Sequence, residues 1–270
     1  MAKLISSALQ GVHVISLRPV GEHAPMRRAA AAHGGKVLAL SPWRLVLRQD
    51  HDSVHALRAA LQAACVVVTS PAAVQAAQRL NPLQALAGPP WCAVGEGTAA
   101  ALRRAGIAEV HTPERMDSEG LLQLPPLQAV AGLPVGLITA PGGRNQIAPA
   151  LRQRGAELVR ADVYERVPVT LSSRALNALA ILPPPFWLAL SSGEALQQLW
   201  QQLPGALRTH LRLARVAAAS ARLADLAVVL GWPAAHVVQA GSAQPHALCQ
   251  AMASTDAAPA PSTLRRQFSG

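Results

Sequence analysis

Aromatic side chains are scarce in this chain: 3% of its 270 residues, with one tyrosine, two phenylalanines and five tryptophans. Lysine occurs only as Lys3 and Lys36, and cysteine only as Cys65, Cys92 and Cys249. Cysteines odd in number and never closely spaced suggest neither a disulfide framework nor a zinc knuckle, and read as small buried hydrophobes in a reducing compartment. No run approaches the roughly 20 uninterrupted apolar residues of a membrane span. The opening MAKLISSALQ is too short and polar for a signal peptide. Charged residues make up only 14%, against a hydrophobic fraction of 51% rich in alanine, which is the composition of packed layers and not of a disordered chain. A soluble cytoplasmic monomer with no membrane partner is expected.

What charge there is has one sign, with a formal net charge of +10 and a pI near 11.2. Such a balance invites a nucleic-acid reading. The arginines argue against it: Arg18, Arg27, Arg44, Arg58, Arg103, Arg144, Arg152, Arg208 and Arg222 are scattered, and no Lys/Arg run exceeds a pair. No basic stripe lines one helix, so no nucleic-acid partner is expected, whereas a polyanionic small ligand fits dispersed guanidinium groups.

The stretch around which the rest is organised is Leu158 to Val169, LVRADVYERVPV, which carries the only tyrosine. Val159, Val163, Val167 and Val169 interleave with Arg160, Asp162, Glu165 and Arg166, the pattern of a partly exposed strand. Lys36 to Leu47, KVLALSPWRLVL, has the same look, and Pro42 restricts it to an edge or a ribbon. These two are expected to cross between two lobes, since the length suits two domains of roughly 100–130 residues.

Around them the chain alternates short apolar strands and helices. Val12 to Leu17 precedes a helix closed by Gly34-Gly35; Cys65 to Thr69 precedes a helix from Pro71 to Leu80; Trp91 to Val94 precedes Gly95-Glu96-Gly97 and a helix; Val135 to Thr139 precedes a helix ended by Gly155. The grammar returns later. Val66 to Ala77 resembles Leu188 to Leu199, Trp91 to Ile107 resembles Arg215 to Trp232, Ser118 to Leu124 parallels Ser242 to Met252, and Val12 to Lys36 resembles Val135 to Glu157. Each lobe needs one copy of each unit. The second set is complete only if the N-terminal unit joins the C-terminal half, so the expected organisation is a discontinuous α/β lobe of residues 1–35 plus 170–253. A second lobe of 48–157, crossing strands 36–47 and 158–169, and a disordered Pro/Ala/Ser-rich tail of 254–270 complete it. The expected fold class is α/β, two similar three-layer parallel-sheet lobes joined by a two-stranded β-ladder.

In this order, the pieces ISLRP, VVVTSPAAV, AVGEGTAAALRRAG, DSEGLL, APGGR, VYER, LSSGEAL and the final ASAR segment resemble the uroporphyrinogen-III synthase family over roughly Gly11 to Ala253. Two positions depart from its pattern: Ala72, where the family often has Asn, and Ser220-Ala221, where it has Thr-Ala. The resemblance implies cyclisation of the linear tetrapyrrole hydroxymethylbilane with loss of water and inversion of the last pyrrole ring, without metal or organic cofactor. The residues agree in offering no HExxH, no Cys/His cluster and no P-loop. Gly95-Glu96-Gly97 lacks the third glycine and the later acidic residue of a dinucleotide fingerprint.

A tetrapyrrole substrate carries many carboxylates, and hydroxyls at strand-to-helix turns suit them. Ser70, Thr98, Ser118, Ser192 and Ser220 fall at such turns, each equally readable as an ordinary helix cap. Arg18, Arg144 and Arg222 occupy analogous positions for pairing with a carboxylate, or for a solvated structural role. Tyr164 reads from its own surroundings as a strand former; the resemblance makes it the candidate catalytic residue, a phenol assisting departure of the hydroxyl. Two other classes stay open. A non-catalytic tetrapyrrole-binding regulator would lose Tyr164 or gain an effector domain, and a nucleic-acid binder would need the missing basic stripe.

Overall fold

The computed structural model describes residues 8–83, 88–115, 117–142 and 146–256. The chain begins with β1 (His13–Ser16), α1 (Ala24–Ala31), β2 (Lys36–Ala39) and β3 (Trp43–Leu47). It continues through α2 (His51–Leu61), β4 (Cys65–Val68), α3 (Pro71–Leu80), β5 (Trp91–Ala93), α4 (Glu96–Arg104), β6 (Val110–His111) and α5 (Ser118–Leu121). Next come β7 (Pro134–Thr139), α6 (Ile147–Gln153), β8 (Glu157–Asp162) and β9 (Tyr164–Pro168). The remainder is α7 (Ser173–Ala180), β10 (Phe186–Leu190), α8 (Gly193–Gln202), α9 (Gly205–Leu211), β11 (Arg215–Ala218), α10 (Ala221–Val229), β12 (Val237–Gln239) and α11 (Pro245–Asp256). Among the described residues, no helix is long and apolar enough to cross a membrane.

Two compact units result, one from the described parts of Met1–Arg44 and Pro168–Gly270, the other from Leu45–Val167. The first holds a five-stranded sheet in the order β12-β11-β10-β1-β2, the second one in the order β6-β5-β4-β7-β8, and every pairing in both is parallel. Central strands of such sheets are covered on both faces, so they read as unbroken apolar runs. CVVV in β4 and FWLAL in β10 are buried at every position.

Alternation along the strands assigns the two faces of each sheet. In the second unit Val66, Val68, Trp91 and Ile138 pack with α2, α3 and α4, while Cys65, Val67, Cys92, Val135 and Leu137 pack with α5 and α6. In the first unit Ile15, Leu188, Leu190 and Val216 pack with α7 to α10, while Val14, Trp187, Ala189 and Ala217 pack with α1 and α11. Helix, sheet and helix thus form three layers in each.

Strands β3 and β9 form a separate two-stranded ladder, and the unit boundary falls within both. The Arg48 amide donates to the Val163 carbonyl and the Val169 amide to the Pro42 carbonyl, so the strands run antiparallel. The structure corrects the expected crossing strands 36–47 and 158–169: each is two strands. β2 and β8 are edge strands of the two sheets, and only β3 and β9 enter the ladder. Pro42 has no N–H to continue a sheet pairing, and Val163 gives its amide to the Thr139 carbonyl of the sheet but its carbonyl to the Arg48 amide of the ladder, so each run changes partner there. The expected tail boundary also moves. Helix α11 extends to Asp256, and residues beyond it lie outside those described.

Helix ends follow local chemistry. Asp50, Ser70, Ser172 and Ser192 each accept a backbone N–H of the first turn, and Pro71 follows its cap directly. Gly34 (φ 82°) and Gly155 (φ 81°) end α1 and α6 in the left-handed region, where a Cβ is unfavourable.

Gly136 has a different reason. A Cβ there would stand 2.1 Å from the Ala60 carbonyl oxygen, because α2 lies directly against β7. Gly136→Ala should lower stability by about 1–3 kcal/mol, the usual range for overpacking, measured by urea unfolding. Unchanged stability would mean that α2 moves away from the sheet at no cost.

Candidate active site

Parallel strands point their carboxyl ends toward the same edge of a sheet, and that edge is where such folds gather ligands. In the second unit four hydroxyls collect there. The Ser70 Oγ, just after β4, accepts the Ala73 amide at 3.1 Å and lies 3.3 Å from the Tyr164 hydroxyl. Thr69 Oγ1 donates to Thr139 Oγ1, at the end of β7, over 2.8 Å. Tyr164 is 4% exposed, its ring packed in the core with Ala161, Val163 and Val68. It stands here because β8 ends at Asp162 and the chain changes partner at Val163, so Tyr164 opens β9. Nearby on β8, Arg160 donates to both carboxylate oxygens of Asp162 at 3.1 and 3.2 Å.

Of the residues expected from sequence, Ser70 and Tyr164 are therefore brought together. Two others are placed differently from expectation. Thr98 lies inside the first turn of α4, buried, behind the N-cap Gly95. Ser118 is the first residue of α5 and is buried, while Asp117 is the N-cap that accepts the Gly120 amide. In both cases the cap moved because an extended residue precedes the helix by one or more positions. Arg144 lies outside the described residues.

In the first unit, Ser192 caps α8 through the Ala195 amide at 3.2 Å. Ser220 occupies the N-cap position of α10 without a side-chain cap bond. Arg222, exposed in the first turn of α10, places a guanidinium nitrogen 3.9 Å from where a Gly193 Cβ would be, so it lies against the start of α8. Arg18 donates from Nε to the Glu22 carbonyl at 2.7 Å. Desolvation lowers its pKa, partly opposed by the Glu22 charge.

Sequence reasoning missed His23. It is 4% exposed, with Nδ1 3.0 Å from Ser16 Oγ and Nε2 2.7 Å from Ser41 Oγ. Burial, helped by the charges of Arg27 and Arg18, lowers its pKa to about 4, so it is neutral near pH 7. Its only sequence signal was its place in the turn after Arg18-Pro19. Thr69, Thr139 and the Arg160–Asp162 pair were also not singled out as site groups, since each gains meaning only from its neighbour across the sheet.

Among the described residues no group of three or more His, Cys, Asp or Glu is placed to hold a metal ion. Cys65 and Cys92, on neighbouring strands, have sulfurs 3.8 Å apart and are free and buried. Their mutual hydrogen bond lowers the first pKa and raises the second. Burial pushes that of Cys249 up to about 11.

Two α/β units, each with an all-parallel five-stranded sheet, joined by an antiparallel ladder, define a two-domain α/β protein. Residues 24–248 match the family model described as uroporphyrinogen-III synthase HemD, and the chain belongs to that family. It is 36% identical over 146 residues to the uroporphyrinogen-III synthase of Escherichia coli K12 and, equally, to that of Salmonella typhimurium LT2. Each alignment covers 53% of this chain and 59% of the relative, so the chain matches rather more than half the length of those proteins. The fold resembles that of a mutant uroporphyrinogen-III synthase from Thermus thermophilus (TM-score 0.58, 18% identity, 88% of this chain and 96% of that one). It also resembles the Helicobacter pylori enzyme (TM-score 0.59, 15% identity, 90% and 98%).

The buried imidazole generates a pH prediction. Unfolded, it titrates at 6.5, and folded at about 4. Between these values the unfolded chain binds more protons, so the stability contribution is complete above pH 6.5 and is lost as pH falls toward 4. The urea midpoint should therefore drop across this window more steeply in the natural chain than in His23→Gln. Parallel pH profiles for the two would sink the assignment.

Proposed function

We propose that this chain cyclises hydroxymethylbilane to uroporphyrinogen III. The observation that carries the reading is the family match across residues 24–248, which spans strands of both sheets. The Ser70–Tyr164 pair supplies a local chemistry for it. In the proposed reaction the terminal pyrrole nitrogen pushes electrons toward the hydroxymethyl carbon, whose C–O bond breaks with the electron pair leaving on oxygen. That oxygen needs a proton. The Tyr164 phenol donates a hydrogen bond to it, and Ser70, held by the Ala73 amide at the start of α3, keeps the phenol oriented. The substituted α-carbon of the last ring attacks the resulting azafulvenium, giving a spiro intermediate. Fragmentation, reclosure and loss of a proton then yield the inverted ring. Atoms balance with release of one water, and nothing is oxidised or reduced.

The free bilane also closes without inversion, so holding its rings in a folded conformation is most of the catalytic task. For that we assign substrate carboxylates to the helix starts at Ser70, Ser192 and Ser220, to the first-turn hydroxyls of Thr98 and Ser118, and to Arg18, Arg144 and Arg222. Helix N-termini attract anions through unpaired N–H groups and the helix dipole. We further propose a cytoplasmic monomer with no nucleic-acid partner, in keeping with three free, buried cysteines and dispersed arginines.

Product analysis with hydroxymethylbilane, resolving the III from the I isomer, tests the activity. Tyr164→Phe should retain the buried ring and change stability by less than about 1 kcal/mol, since only one long hydrogen bond is lost. Formation of the III isomer should fall about ten- to a hundredfold. An unmodified rate would remove the hydroxyl from the mechanism, and an unfolded variant would make Tyr164 structural.

A further inference from the structure

The two sheets correspond residue by residue at their carboxyl edges. β1 and β2 occupy the places in the first sheet that β7 and β8 occupy in the second, with Ser16 paired to Ala39 as Thr139 is to Asp162. The next bond is also repeated: the Leu40 amide donates to the Ser16 carbonyl and the Val163 amide to the Thr139 carbonyl, each at 3.0 Å. The residue after Val163 is Tyr164. The residue after Leu40 is Ser41, so Ser41 holds in the first unit the position that Tyr164 holds in the second.

Ser41 is not an idle hydroxyl. His23 Nε2 lies 2.7 Å from its Oγ, and the other ring nitrogen lies 3.0 Å from the fully buried Ser16 Oγ. A neutral imidazole donates from one nitrogen and accepts at the other. When Ser16 donates to Nδ1 and Nε2–H donates to Ser41 Oγ, the Ser41 proton is left free to donate outward, and each bond in the chain polarises the next. Ser41 is only partly buried, so its hydroxyl can meet a ligand, whereas both ring nitrogens of His23 already have serine partners. Arg18 and Arg27 stand close enough to act electrostatically on His23, and guanidinium groups favour a nearby carboxylate.

We propose that Ser41 is a carboxylate-binding residue of the first unit, the counterpart of Tyr164, and that His23 and Ser16 are its positioning residues. This rests on the proposed tetrapyrrole polycarboxylate substrate. One hydrogen bond to a charged group corresponds to about a tenfold change in affinity. Ser41→Ala should therefore raise KM for hydroxymethylbilane about tenfold, with kcat changed less than twofold and thermal stability retained. His23→Leu should reproduce that KM change, whereas His23→Gln, which keeps an N–H near the Nε2 position, should restore KM to within about threefold.

An unchanged KM in Ser41→Ala overturns the inference, as does a fall in kcat alone. If His23→Leu fails to fold, the Ser41→Ala result decides by itself. Failure of the natural chain to make the III isomer would count against the proposed activity instead. Tryptophan-quenching titrations with uroporphyrin I, an octacarboxylate, would then decide the point: weaker binding to Ser41→Ala supports it and equal affinity overturns it.

Discussion

The pairing of His13–Ser16 with Phe186–Ala189 is the constraint on which the first unit depends. Four residues near the start of the chain fill the slot between β10 and β2, and without them β10 would present a buried apolar edge with unpaired N–H and C=O groups. Closing that slot brings together segments more than 170 positions apart, so the second unit's whole chain is inserted between the two parts of the first. The ladder strands β3 and β9 are the consequence: the chain leaves the first unit through one and returns through the other.

Because both sheets are parallel, all the strand-to-helix turns of a unit open at one edge, and the polar groups that cap helices are concentrated there. The same serine that satisfies a backbone N–H of the first helical turn is then available to a neighbouring side chain. Ser70 shows this economy, since its oxygen meets both the Ala73 amide and the Tyr164 hydroxyl. In the first unit the corresponding edge is furnished by Ser16, His23, Ser41 and Ser192. The units share a frame but differ in polar chemistry: a phenol on a serine in one, a serine on an imidazole in the other.

The repeated strands were legible in the sequence because burial on both faces leaves a strong mark. VVVTS and LALSS each join an apolar run to a hydroxyl that starts a helix, and the structure places β4 and β10 at the centre of equivalent sheets. Glycine closings at Gly34 and Gly155 were legible for a similar reason, the left-handed conformation at a helix end. Individual helix caps were less so. Asp117 and Gly95 took the cap positions expected of Ser118 and Thr98, since a cap depends on where the extended backbone ends, which composition does not specify to one residue.

By itself, the sequence determined the α/β class, the repeat of strand-helix units, the family resemblance and the singular position of Tyr164, all of them carried by local pattern or by order along the chain. Tertiary structure alone decided that each expected crossing strand divides in two at Pro42 and Val163, because that depends on which carbonyl a distant strand offers. It alone also decided that Ser70 meets Tyr164 and that His23 bridges Ser16 and Ser41. Those partners lie 94, 7 and 18 positions apart, at separations set by sheet register and not by any helical or strand period.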